Sequence, residues 1–240
     1  MTNFDINMIS YSDYYEENLY KLQDGILNIV RISSVPFYLT GGTALSRGYY
    51  HHRYSDDLDF FVNADNNFRH LTDVVLSHLQ QNGYYWDKEV GFVKSVDFVT
   101  LMVCHPDFDC KLKLDFVNDV PVHFGDIVQT DVFYRTDSVE NMLSNKITAI
   151  FRMSPKDVVD VREICLHHKF DWDTIFKNVR EKELGIEADQ VAEIVEGMPE
   201  SAFNSIKWIN KPDFKKFKKD LNVIVHEMLS LKGNSLCQQQ

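Results

Sequence analysis

The run Leu39–Phe61, LTGGTALSRGYYHHRYSDDLDFF, holds a glycine pair followed by two acids spaced two apart. The residues just before the glycines, VPFYL (35–39), form a short apolar strand that runs into Gly41-Gly42. TALSRGYY (43–50) then reads as a short helix and DLDFFV (57–62) as a strand. Strand side chains alternate faces, so the carboxylates of Asp57 and Asp59 project to the same side. Like charges that close are costly unless a cation lies between them. With Leu58, Phe60 and Phe61 anchoring the strand, the pair reads as a divalent-metal site of hard oxygen ligands suited to Mg²⁺ or Mn²⁺. Taken alone, an acid-x-acid strand also reads as a solvated acidic edge, and a glycine pair as a plain tight turn. Together, a strand, Gly41-Gly42, a helix start with free N–H groups and an acidic strand form a phosphate cradle facing a metal pair.

Working outward, residues 13–32 repeat apolar positions every three or four residues and predict an amphipathic helix, with Tyr14, Leu19, Leu22 and Ile26 facing the core. A helix over 67–82 ends at Asn82-Gly83, and strands are expected near 92–103 and 110–117. The order predicts a mixed sheet flanked by helices, an α+β chain. Asp115, within KLKLDFV, is a third carboxylate among apolar residues. It either joins the acid pair from a neighbouring strand, allowing two cations to be held, or points to solvent or pairs with Lys111 or Lys113.

From about Ser138 the β-branched runs give way to helical periods over 138–152, 155–168, 171–183, 188–197 and 211–231. The expected division is a sheet domain over 1–136 and a helical bundle over 137–240. Pro155, Pro199 and Pro212 sit where helices can begin. The closing GNSLCQQQ reads as a frayed tail, and there is no internal repeat.

Over 240 residues the composition is 44% hydrophobic and 25% charged, which excludes disorder and fibrous repeats. No apolar run approaches the roughly 18 residues of a membrane span, and the acidic, polar start is unlike a signal peptide. A soluble, cytoplasmic protein without membrane partners is expected. Four cysteines at unpatterned spacings predict reduced thiols and no sulfur-held metal. The net charge of −11 is concentrated in residues 1–136, where ten basic side chains meet nineteen acidic ones. A phosphate-bearing substrate must therefore be met by bound cations or a local basic patch.

A second block, NKITAIFRMSPKDVVDVREI (145–164), places Lys146, Ile150 and Met153 or Ser154 on one helical stripe, with Ile147 and Phe151 packing behind. A cation can thus project into a cleft. Asp157 and Asp160 open the next helix, where acids also suit the helix dipole. Pairing of Asp160 with Arg152 would brace the cleft and leave Asp157 the freer. Arg53 either contacts a phosphate or forms a structural ion pair. His51-His52 and His167-His168 read as surface residues. Lys215, Lys216, Lys218 and Lys219 interleave with Phe214 and Phe217, giving a solvated helix face or an RNA-backbone contact.

The two blocks in this order resemble the DNA polymerase β-like nucleotidyltransferase superfamily, whose signature is a Gly-Gly or Gly-Ser turn followed by acid-x-acid. More narrowly, they are similar to the AbiEii-type nucleotidyltransferases, toxins of abortive-infection and toxin–antitoxin systems, over roughly residues 36–168. The resemblance implies a nucleotidyltransferase fold joined to a helical bundle, with the site in the cleft. It implies that Gly42 and Thr43 line the triphosphate, that Asp57 and Asp59 bind Mg²⁺ or Mn²⁺, that Lys146 reaches a phosphate, and that Asp157 is the acid of the second motif; Gly41 and Arg53 stand beside these as further nucleotide-binding candidates. The interval from Gly42 to Asp57 is at the long end for the superfamily. The implied reaction moves a nucleoside monophosphate from a nucleoside triphosphate to an acceptor hydroxyl, on tRNA or other RNA, with a cognate antitoxin. A small-molecule or protein acceptor, or a catalytically silent nucleotide-binding module, are the alternatives.

Overall fold

The protein is described by a computed structural model over residues 11–237. The first ten residues of the acidic start and the last three glutamines of the predicted tail lie outside the described residues. Helix α1 (residues 11–32) is continuous and carries a π-helical turn at Tyr15–Leu19. Its stripe faces inward as the periodicity requires, with Leu19, Leu22 and Ile26 buried and Tyr14 packed partly against them. Strand β1 (Tyr38–Thr40) runs into α2 (residues 41–50), and β2 (Leu58–Asn63), α3 (Phe68–Gln81), β3 (Val93–Lys94), β4 (Phe98–Val103) and β5 (Leu112–Asp119) complete the sheet half.

The five strands lie in the order β1-β2-β5-β4-β3, with β2 and β5 parallel and the other neighbours antiparallel. Burial alternates along β2, so Leu58, Phe60 and Val62 enter the core while Asp59 and Phe61 take the opposite face. The register sets Asp59 directly beside Asp115 on β5. Phe60 and Phe116 stack 5.6 Å apart beneath them. Each fully buried phenylalanine contributes about 2 kcal/mol, so the apolar face fixes the strands firmly enough to hold acids on the other side.

The second half is helical: α4 (Val139–Ala149), α5 (Pro155–His167), α6 (Trp172–Lys182), α7 (Ala188–Gly197) and α8 (Phe214–Leu229). Several expectations are corrected. The helix expected over 138–152 tightens into a 3₁₀ turn at Ile150–Arg152, and three residues per turn rotate Phe151 outward to 43% exposure instead of packing it behind Lys146. Pro199 precedes a 3₁₀ segment, Glu200–Ser205, not an α-helix. Helix α8 begins after Pro212, because the Asp213 side chain accepts from the Lys216 N–H at 2.8 Å and caps it. The tail is docked, not frayed, as far as Cys237: Asn234 Nδ2 donates to the carbonyls of Cys165 and His168 at 2.7 and 2.6 Å, satisfying orphan acceptors at the end of α5.

Asp137 joins the two halves. Its N–H donates to the Leu39 carbonyl at 2.9 Å, its carboxylate accepts from Thr40 Oγ1 at 2.5 Å and from Asn141 Nδ2 at 3.0 Å, and its carbonyl accepts from the Tyr49 hydroxyl at 2.7 Å. The start of α4 is thereby tied to the glycine turn. All four cysteines are free. Among the described residues no helix is long and apolar enough to cross a membrane.

Candidate active site

A cavity of about 220 Å³ opens between the sheet and α4–α5, with Gly41, Gly42, Asp57, Asp59 and Asp115 on one wall and Lys146, Arg152 and Asp157 on the other. The sequence-predicted residues thus converge, apart from Thr43. That side chain is fully buried, and its hydroxyl donates to the Asp57 backbone carbonyl, bracing the strand entry from behind the cavity. Gly41 has φ +71°, a conformation that glycine adopts without strain. A Cβ at this position would collide with the Asp59 carboxylate, and one at Gly42 would come 2.6 Å from Arg53 Nη2. Both glycines therefore allow packing that a larger residue would prevent.

The acids repel one another. Burial first, then Asp115 and Asp57, push Asp59 up to about 6, and burial raises Asp57 as well. At neutral pH, keeping Asp59 ionised costs on the order of 2–3 kcal/mol in the metal-free protein. Asp115 lies beside the acid pair and also takes the Lys113 ion pair. It lines the cavity, and its Oδ2 accepts from Lys113 Nζ at 2.5 Å, while its Oδ1 is buried without a hydrogen-bond partner. Hard carboxylate oxygens on one face, mutually destabilised and with one atom orphaned, fit a divalent cation. Among the described residues no three His, Cys, Asp or Glu side chains are gathered into a ready metal cage.

Behind the opposite wall lies a buried ion network. Lys146 Nζ reaches Asp157 Oδ1 at 2.9 Å and Asp160 Oδ2 at 2.7 Å. Arg53 grips Asp160 with Nε and Nη2, each at 2.7 Å, and His52 Nε2 lies 2.8 Å from the same carboxylate. Burial disfavours ionised Asp160, yet Arg53 and Lys146 hold its carboxyl well below the usual range. Arg53 is therefore a structural ion pair, and His52 is buried, not a surface residue; His51 and His167 are exposed as expected, and His168 is half-buried. The brace also differs from the one expected: Arg152 binds Asp157 through Nε and Nη2 at 2.6 and 2.7 Å, so Asp157 is fully engaged, and Asp160 takes Arg53 instead. Lys146 lines the cavity but its ammonium is already held between two aspartates.

The more exposed cations are elsewhere. Arg152, Lys156 and Lys113 also line the cavity, with side chains 61%, 42% and 43% exposed. From the sequence, Lys113 and Arg152 read as ion-pair partners and Lys156 receives no role, although it is the lysine of the Lys-Asp-x-x-Asp run. Five basic and four acidic side chains line this cavity, and the buried Asp160 behind Lys146 and Arg53 balances the count, so the site is richer in cations than the acidic chain as a whole.

A model of the nucleotidyl transferase AbiEii toxin family of type IV toxin–antitoxin systems matches residues 31–227, most of the chain and both walls of the cavity. The chain belongs to this family. As an AbiEii protein it is a nucleotidyltransferase. Two solved structures share its fold. JHP933 from Helicobacter pylori has a TM-score of 0.57 at 18% identity, over 90% of this chain and 93% of that one. A candidate nucleotidyltransferase from H. pylori has a TM-score of 0.60 at 17% identity, over 90% and 96%. No curated protein sequence matches.

Proposed function

We propose that this AbiEii protein transfers a nucleoside monophosphate from a nucleoside triphosphate to an acceptor hydroxyl, releasing pyrophosphate, with Mg²⁺ or Mn²⁺ held by Asp57 and Asp59 and completed by Asp115. The supporting observation is the in-register pair Asp59 and Asp115 beside the Gly41 turn in one cavity that five basic side chains also line. When bound, the ion supplies Lewis-acid stabilisation of the charge that develops on phosphoryl oxygens.

The chain's own groups do the rest. Gly41 and Gly42 open the turn so that a phosphate can approach the backbone. Arg152 and Lys156, exposed at the rim, meet the polyphosphate tail, a role the resemblance implied for Lys146 and the sequence position allowed for Arg53. Lys146, Arg53, Asp157 and Asp160 set the position of that rim, and Thr43 fixes Asp57 through its carbonyl. Because the cavity is smaller than the ~300–1,000 Å³ typical of ligand pockets, the base and the acceptor lie at its open mouth.

RNA, tRNA included, is the acceptor favoured by the helix α8 face, where Lys215, Lys216, Lys218 and Lys219 are exposed while Phe217 is buried. Family membership favours toxin action in the cytoplasm, opposed by a cognate antitoxin. Calorimetric titration of each nucleoside triphosphate into the wild type and Asp57→Ala, with and without Mg²⁺, tests the site. Mg²⁺-dependent binding weakened tenfold or more in the variant supports it, and equal affinities contradict it.

A further inference from the structure

Lys113 and Asp115 lie two apart on β5, so both side chains leave the sheet on the cavity side. Their ion pair at 2.5 Å uses Asp115 Oδ2 only, and Oδ1 is left buried without a partner in a residue 9% exposed. An unpaired carboxylate oxygen in such a place costs about 1–3 kcal/mol. Its neighbour across the ladder is Asp59, another acid. Nothing in the fold locks the Lys113 side chain: it is 43% exposed, and Asp115 is the one hydrogen-bond or ion-pair partner given to its ammonium among the described residues. Lys146, by contrast, is enclosed by two aspartates on a different element. One cation of the cavity is thus fixed and another is free to swing on four methylenes.

We infer that Lys113 is the stand-in cation of the metal site: its ammonium neutralises Asp115 in the nucleotide-free protein, competes with the divalent ion for that carboxylate, and is released toward the polyphosphate when the ion enters. This rests on the proposed metal site of Asp57, Asp59 and Asp115. It accounts for an Asp115 carboxylate that is paired at one oxygen and left without a partner at the other. It also makes Lys113 a positioning residue with two opposed effects. In the free protein it weakens metal binding, and in the loaded protein it strengthens binding of the triphosphate.

The test is the binding of Mn²⁺ to nucleotide-free protein, followed by the loss of the free-ion paramagnetic resonance signal, in wild type, Lys113→Met, Lys113→Arg and Asp59→Asn. Lys113→Met keeps the length and apolar stem of the side chain, and Lys113→Arg keeps the charge. The expected result is about tenfold tighter Mn²⁺ binding in Lys113→Met, wild-type binding in Lys113→Arg, and severe loss in Asp59→Asn. A second titration adds a nucleoside triphosphate with Mg²⁺, and Lys113→Met is expected to bind it several-fold more weakly than wild type. Unchanged or weaker Mn²⁺ binding in Lys113→Met, with Asp59→Asn still defective, overturns the role of Lys113 while leaving the metal site standing. Equal binding by wild type and Asp59→Asn overturns the metal site and this inference with it.

Discussion

Lys146 Nζ lies 2.7 Å from Asp160 Oδ2, and both side chains are buried. The lysine that the second motif contributes is therefore built into the frame of the cleft. Asp160 also anchors Arg53 and His52, so it joins α5 to the segment that leads into β2. Replacing it leaves a deeply buried guanidinium without its carboxylate. Asp160→Asn is expected to lower unfolding stability by about 3–5 kcal/mol, the usual cost of breaking a buried pair from one side. Lys146→Met should cost clearly less, because Asp157 keeps Arg152 and Asp160 keeps Arg53. Urea unfolding of the two variants gives the order, and the reverse order would show that the network is centred elsewhere.

Asp59 makes the opposite prediction, a gain of stability on losing its charge. Its folded value of about 6 lies above the ordinary aspartate value of 3.8, so between these limits the native state binds more protons than the unfolded chain. Its contribution is fully present below about pH 4 and is lost as the pH rises through 6. Without divalent metal, Asp59→Asn should exceed the wild type by about 2 kcal/mol at pH 7.5, allowing for partial exposure, and the advantage should disappear near pH 4. Thermal unfolding across that range measures it, and adding Mg²⁺ should raise the melting temperature of the wild type alone.

Gly41 and Gly185 separate strain from site chemistry. Both have positive φ, but a Cβ at Gly41 meets the Asp59 carboxylate, whereas one at Gly185 meets nothing within 4 Å. Alanine at Gly185 should cost about 1–2 kcal/mol of stability from its positive φ alone, and alanine at Gly41 should cost more, because its Cβ also collides with Asp59. Only Gly41→Ala should also weaken Mg²⁺-dependent triphosphate binding, by tenfold or more. Comparable binding in the two variants would place the glycine turn outside the site.

What the sequence reveals of this site is what short-range periodicity can carry. The alternation along Asp57–Phe61 puts both acids on one face, and the glycine turn precedes a helix, since both are local backbone facts. The contacts that fix Arg53 and His52 reach Asp160, more than a hundred residues away, and no local pattern announces them. Phe151 defied its helical period because the last turn tightens to 3₁₀, and the tail docks because Asn234 finds the open carbonyls of α5. The division of labour among the cations depends on burial, which separates the enclosed Lys146 from the exposed Arg152, Lys156 and Lys113.

The lysine face of α8 distinguishes acceptors. Reversing Lys215 and Lys218 to glutamate alters a solvated surface, so folding and triphosphate binding should be unchanged. Transfer to RNA should fall strongly, and the salt dependence of RNA binding should flatten. Full RNA modification by the double variant would remove this face from the acceptor site.

The catalytic claim is tested most directly by incubating the protein with each of the four nucleoside triphosphates, labelled at the α-phosphate, in the presence of total RNA and total protein. The account predicts Mg²⁺-dependent label in the RNA fraction for wild type and its loss in Asp59→Asn, a variant expected to be at least as stable as the wild type. Transfer that persists at the wild-type rate in Asp59→Asn would contradict it.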